Sequence, residues 1–211
     1  CDAAGQGKFD DEIIPITIPQ KKGDTIAIRA DEGPRPDASV EKLSRLRTVY
    51  PDGVCTAGNS STENDGAAAV VLMSADRARS LGLYPLAVLK SFAVAASDPT
   101  LTYPAVPASV NKALERGGLS LNDIDLIEIQ EAFAVQMLAD AKLMEIPRQE
   151  YDARINVNGS GISLGHPIAA TGTMRMVTLI HEMMRRNDVR YGLETICGGG
   201  GLGICAIVEK P

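Results

Sequence analysis

Two glycine-dense stretches near the end of the chain constrain its fold more than any other feature. The first is Gly161-Ile-Ser-Leu-Gly-His-Pro-Ile-Ala-Ala-Thr-Gly172 and the second is Ile196-Cys-Gly-Gly-Gly-Gly-Leu-Gly203. Glycine adopts backbone angles closed to other residues and lets other groups approach its N–H closely. Each stretch therefore reads as a turn that presents one reactive side chain, His166 or Cys197. An apolar segment of helix length lies between them. It can carry the chain out and back so that both turns meet at one pocket, which asks for alternating helices and strands.

The neighbouring sequence supplies that alternation. Residues 86–96 read as a strand, and Val106, Val110 and Leu114 recur at helical spacing until Gly117-Gly118 stops them. Residues 124–129 read as a strand, 132–144 as a helix, 154–158 as a strand and 172–186 as a helix. Strands 191–196 and 204–209 are joined by the second glycine turn. The pattern predicts a layered α/β domain with a mixed, mostly parallel sheet and a final hairpin. Upstream, 13–18 and 25–29 form a hairpin whose Pro15 confines it to an edge. Ser39 caps a helix over 40–47, and 56–62 is a small polar loop suited to close approach by a ligand. The unbroken apolar run 67–73 reads as a buried strand, Ser74 opens a short helix that Gly82 ends, and a domain boundary falls near 83–85.

With 211 residues, 45% of them hydrophobic and 23% charged, the chain can bury a core as one large or two small domains. A net charge of −6 without a basic run argues against a nucleic-acid partner. The apolar runs fall short of the ~18 residues that suggest a membrane span. Cys1, Cys55, Cys197 and Cys205 show neither metal-ligand spacing nor a disulfide framework, and the two histidines make no metal site. Such cysteine usage suits a reducing compartment, and a cytoplasmic location is expected, with the mitochondrial matrix or peroxisome as alternatives. The chain opens on Cys1, and residues 2–8 look like the tail of a helix. A fragment, one chain of a split protein or a processed product is expected.

Gly198, Gly200 and Gly203 have the spacing of a dinucleotide fingerprint, but a strand follows them where that fingerprint needs a helix. Their use is to expose backbone N–H groups to an oxygen. Cys197 at the mouth of such a turn is a candidate nucleophile or acid/base. Taken alone it also fits a small buried hydrophobe, as Cys205 does. His166 lies beyond a strand end and before a helix, where α/β sites collect, and taken alone it also fits a structural histidine.

Several blocks together resemble the thiolase family. Asn158-Gly-Ser-Gly-Ile-Ser-Leu-Gly-His-Pro is similar to its histidine motif, Cys197-Gly-Gly-Gly-Gly-Leu-Gly to its C-terminal cysteine motif, and Glu128-Ile-Gln-Glu-Ala-Phe-Ala to its Asn-Glu-Ala-Phe block. Thr56-Ala-Gly-Asn-Ser-Ser, Asn64-Asp-Gly-Ala-Ala-Ala and Gly7-Lys-Phe-Asp-Asp-Glu-Ile-Ile-Pro-Ile resemble earlier blocks, in family order along the whole chain. The resemblance implies the layered thiolase fold, with the end of the loop domain at 1–57, the last segment of the N-terminal domain at 58–84 and a complete C-terminal domain at 85–211. The rest of the N-terminal half would be largely missing.

The resemblance also implies acyl transfer between a 3-ketoacyl-CoA and coenzyme A, with coenzyme A as substrate and no covalent cofactor. A first cysteine accepts the acyl group; none here matches it, so it would lie in an N-terminal half or partner subunit, within a homo- or hetero-oligomer. Cys197 matches the acid/base, helped by a site that lowers its pKa. His166 matches the donor to the thioester oxygen, and Gly199 the N–H of a second oxyanion hole. Gln130 stands where the family usually has Asn, and Ala169 where it usually has Gly. Arg35, Ala57 and Ser61 match positions that touch coenzyme A, and Phe133 matches a pocket wall. A non-catalytic acyl-CoA-binding subunit and a related thiolase-fold synthase are the alternatives.

Overall fold

The computed structural model describes residues 1–101 and 103–211. In chain order the elements are α1 (Asp2–Gly5), β1 (Ile16–Ile18), β2 (Ile26–Ile28), α2 (Val40–Ser44), α3 (Ala75–Ser80), β3 (Val88–Ala96), α4 (Ala105–Gly117), β4 (Leu126–Ile129), α5 (Ala134–Leu143), α6 (Tyr151–Arg154), α7 (Gly161–Leu164), α8 (Ile168–Arg185), β5 (Tyr191–Gly198) and β6 (Leu202–Glu209).

Local chemistry sets many of these boundaries. The hydroxyls of Ser39 and Ser74 accept from the N–H groups of Lys42 and Arg77 and open α2 and α3. Gly118, at φ 66°, takes the left-handed conformation that closes α4. Helix α8 starts upstream of the expected residue 172, directly after Pro167, whose missing N–H is no loss at a helix start.

Strands β1 and β2 form the expected hairpin. The main sheet has the order β3-β6-β5-β4. It is mixed, but its pairings are not mostly parallel: β4–β5 is parallel, while β5–β6 and β6–β3 are antiparallel. The tight glycine turn reverses β6 against β5, and β6 then lies between two strands that run the other way. Three of the four strands share one direction, yet two of the three pairings oppose.

Two expected strands do not form. Residues 67–73 form no strand, with Val71 84% and Leu72 78% exposed. An apolar run becomes a strand only where a neighbour completes its ladder, and among the described residues none does. Residues 154–158 make a single bridge, Ile155 to Ile127. Asn156, at φ 49°, turns the chain away, and its side chain takes over the ladder, accepting from Ile129 N–H at 2.8 Å and donating to Ile129 O at 2.9 Å.

The sheet has a helix layer on each face. Val110, Ala113 and Leu114 of α4 and Ala141 of α5 pack with Ile127, Ile129, Leu193, Cys205 and Ile207 on one face. Leu179 and Met183 of α8 pack with Leu126 and Val208 on the other. Successive side chains of a strand point to opposite faces, so this division also sorts the functional residues.

Candidate active site

His166 follows Gly165, whose φ of 94° suits glycine and where an added Cβ would strike the Asn64 side chain. The His166 N–H donates to Thr62 O at 2.9 Å, which fixes the turn against the 62–66 segment. Its Nδ1 lies 2.7 Å from Thr171 Oγ1, in the first turn of α8. With the hydroxyl donating to Nδ1, the imidazole proton resides on Nε2, and Nε2 becomes an outward donor. Burial, and then the charge of Arg175, lower the affinity of the ring for a second proton. A neutral imidazole that donates from Nε2 suits an oxygen on which negative charge develops.

Cys197 is half-buried near the end of β5. Its register partner is Gly203, where an added Cβ would strike Ala105 O, so both residues face α4. Burial, and then the charge of Asp140 on α5, push the thiol up to about 11. This corrects the expectation of a lowered thiol pKa: the thiol meets apolar packing and a carboxylate, both of which oppose the thiolate. Gly199 follows in the turn, with no atom near the position of an added Cβ. Among the described residues its N–H has no hydrogen-bond acceptor.

Gln130 stands at the end of β4. Its N–H donates to Thr195 O at 3.0 Å, which places it beside the strand that bears Cys197. Its amide is fully buried, and among the described residues neither Oε1 nor Nε2 has a partner. An added Cβ at Gly161 would strike that amide and Glu131 O, which explains the glycine that opens α7.

The loop 57–61 docks on the start of α5. Ser61 N–H donates to Ala132 O and Ala134 N–H to Asn59 O, each at 2.9 Å, and Ser60 bridges to Phe133. Ser61, exposed Ala57 and the 46%-exposed Phe133 thus share one surface. Arg35 is exposed on a loop whose Gly33 lies against the backbone of Ser163 and Leu164 in α7.

The structure therefore places His166 and Gln130 around α7, Cys197 and Gly199 at the β5–β6 turn, and Ala57, Ser61 and Phe133 at the start of α5. A concave surface beside His166 is lined by Glu63, Asn64, Asp65, Pro167, Ile168 and Ala169, without Cys197. Cys197 lies on the α4 side of β5, and His166 lies in the turn that leads into α8. Among the described residues no group of side chains is arranged to hold a metal ion, and no helix is long and apolar enough to cross a membrane.

Sequence reasoning missed Thr171, Arg175 and Asp140. Thr171 lay inside the first glycine stretch. Arg175 interrupts the apolar character of its helix, a signal that could have been used. Asp140 lies among small and apolar residues of α5 and is fully buried, its carboxylate bonded to Gln136.

The family model "Thiolase, C-terminal domain" matches residues 83–210, and "Thiolase, N-terminal domain" matches residues 1–76. The chain belongs to the thiolase family. The second match assigns residues 1–76 to part of that N-terminal domain, so the expectation of a largely missing N-terminal half holds only in part. An acetyl-CoA acetyltransferase of Chromobacterium violaceum is 47% identical over 206 residues, covering 97% of this chain and 51% of its own length. A probable acetyl-CoA acyltransferase of Staphylococcus aureus strain N315 is 46% identical over 209 residues, covering 99% and 52%. The crystal structure of the Bacillus anthracis acetyl-CoA acetyltransferase superposes with a TM-score of 0.94 at 42% identity, covering 100% of this chain and 52% of that one. Human mitochondrial 3-ketoacyl-CoA thiolase in complex with CoA superposes with a TM-score of 0.88 at 34% identity, covering 100% and 51%. The chain thus spans about half the length of the thiolases it matches. Its layered α/β architecture is the thiolase fold.

Proposed function

We propose that this thiolase chain serves acyl transfer between a 3-ketoacyl-CoA and coenzyme A, as thiolytic cleavage or the reverse Claisen condensation. The names of its relatives support acetyl-CoA as one of the thioesters. A cysteine of thiolase residues outside these 211, in a preceding segment or a partner subunit, accepts the acyl group. Cleavage then breaks the bond between the two carbonyl-bearing halves, and the departing carbon takes a proton. The Cys197 thiol supplies that proton and later takes one from incoming coenzyme A. His166 donates from Nε2 to the thioester oxygen as the enolate forms, and the Gly199 N–H serves a second oxyanion. Gln130 lends its amide at the end of β4, and Arg35, Ala57, Ser61 and Phe133 receive coenzyme A.

The observation that carries this reading is the 2.7 Å contact of His166 Nδ1 with the Thr171 hydroxyl: with the hydroxyl donating, the imidazole proton lies on Nε2, and burial disfavours a second proton. A thiol held protonated, with a pKa of about 11, is ready to donate. The same value favours a second reading, an acyl-CoA-binding module without turnover, unless the complete site acidifies the thiol.

Joining this chain to the N-terminal segment of a related thiolase and following coenzyme-A-dependent cleavage of acetoacetyl-CoA separates the two readings. The chain alone should give no turnover and the joined protein should cleave. A joined, folded protein that binds acetoacetyl-CoA but leaves it intact would favour the binding module.

A further inference from the structure

The sheet face beneath α8 buries an unusual amount of charge. Glu128 and Glu194 are register partners on the parallel strands β4 and β5, so their side chains lie side by side. They are 2% and 5% exposed. An added Cβ at Gly172, in the first part of α8, would lie 3.8 Å from Glu194 Oε1. One turn on, Arg175 is 3% exposed, and its Nη1 donates to Gly159 O at 3.2 Å. Glu12 reaches the same helix from the N-terminal segment, accepting from Thr178 Oγ1 at 3.1 Å. Glu131, just beyond β4, accepts from Asn156 Nδ2 at 3.1 Å. Among the described residues Glu12 Oε2, Glu128 Oε2, Glu194 Oε1 and Arg175 Nε have no hydrogen-bond partner.

Unpaired buried charge is costly, and carboxylates in such a place take up protons instead. Burial is the main cause that raises Glu12, Glu131, Glu128 and Glu194, the last two to about 8, and the charge of Arg175 acts against it at all four. Arg175 lies one helical turn on from Thr171, whose hydroxyl contacts His166 Nδ1, and both are buried on α8; its charge reaches the ring, where it acts together with burial. The guanidinium keeps its proton throughout, so it is the fixed charge of the cluster.

We propose that Arg175 is a positioning residue for His166: it pins the 158–161 turn to α8 through Gly159 and sets a positive field at the imidazole, in a surround of buried carboxyls from Glu12, Glu128, Glu131 and Glu194. The proposal rests on the reading of His166 as a neutral donor. Such a donor must refuse a second proton, and a nearby fixed cation enforces that refusal. Because Glu128 and Glu194 hold their protons up to about 8, they leave the Arg175 charge uncompensated in the range where the ring would otherwise protonate. Glu63 and Asp65 face His166 from the other side and act in the opposite sense, but both are exposed and screened by solvent.

The test is the titration of the His166 ring in the full chain, followed by nuclear magnetic resonance, with His181→Asn to assign the two histidine signals. Arg175→Gln should raise the His166 midpoint by about one unit, the size expected of one lost nearby charge. Arg175→Lys, which keeps the charge, should stay closer to wild type. If Arg175→Gln does not fold, the double variant Arg175→Met with Glu194→Met removes the cation together with a carboxyl that is already protonated where His166 titrates, and should show the same rise. An unchanged midpoint in a folded variant that lacks the Arg175 charge would overturn the proposal, as would Arg175→Lys titrating like Arg175→Gln. The titration involves no turnover. Its failure would leave the acyl-transfer reading standing, and a His166 variant of the joined enzyme with full activity would sink that reading without touching this one.

Discussion

At His166 a single hydrogen bond selects the chemistry. When the Thr171 hydroxyl, 2.7 Å from Nδ1, donates to the ring, the proton lies on Nε2 and the ring can donate toward substrate. Thr171→Val removes the hydroxyl at nearly constant volume. In the joined enzyme it should lower kcat about tenfold, the worth of one net hydrogen bond, with little change in KM, and Thr171→Ser should restore most of the rate. Steady-state kinetics on the three proteins checks this. A glycine stretch identifies His166 as a presented residue, but a threonine five positions on is seen as its partner only when α8 starts early enough to bring that turn alongside. Cys197 teaches the converse. Its place in a glycine turn is legible, whereas the packing and the Asp140 charge that hold its thiol protonated depend on a residue far away in sequence.

Periodicity and caps serve well where an element completes itself. The stripe of α4, the serine caps of α2 and α3 and the β5–β6 hairpin depend on residues near in sequence, and all were legible. The failures are elements that need distant partners. Residues 67–73 have strand composition but no ladder, and residues 154–158 lose theirs to the left-handed Asn156. Between β4, β5 and α8, the register pair Glu128 and Glu194 gives the sheet a pH response. Burial raises both groups to about 8, so the fold holds their protons more tightly than the open chain does. Their favourable contribution is complete below the unfolded value near ~4.5 and is lost as pH rises toward about 8. Glu182 acts in the opposite sense. Burial opposes its ionisation, but hydrogen bonds from Asn158, Arg186 and Arg185 and the charge of Lys8 outweigh burial and hold it at about 2, so its contribution is lost as pH falls below ~4.5. Stability from these groups should therefore peak on the acid side of neutrality. Glu194→Gln, which imitates the protonated form, should leave the melting temperature nearly unchanged at about pH 5 and raise it relative to wild type at about pH 8.5. Thermal melts across that range check both the sign and the window.

For the molecule as a whole, α4 and α5 cover one face of the sheet, while α8 on the other lies mainly over β4 and β5. Val88, Phe92 and Val94 of β3 and Leu202 and Ile204 of β6 are 44–58% exposed. The 67–73 run, with Val71 and Leu72, adds further exposed apolar side chains. It belongs to a chain that superposes on a thiolase crystal structure with a TM-score of 0.94 while spanning 52% of it. Family membership was legible from motif order alone, since each block keeps its place along the chain. Which surfaces lie open was not, because motif order says nothing about the residues that would pack against them. The division of labour proposed for the complete enzyme separates acyl acceptance, on a cysteine outside these residues, from proton transfer by Cys197. It is tested most directly in the joined enzyme carrying Cys197→Ser, by measuring the acyl adduct on the accepting cysteine by mass and the coenzyme-A-dependent cleavage rate in parallel. The adduct should still form from an acyl-CoA, while cleavage should fall by about 10²-fold or more, the scale of a lost acid/base. Cleavage at the wild-type rate would contradict the role of Cys197.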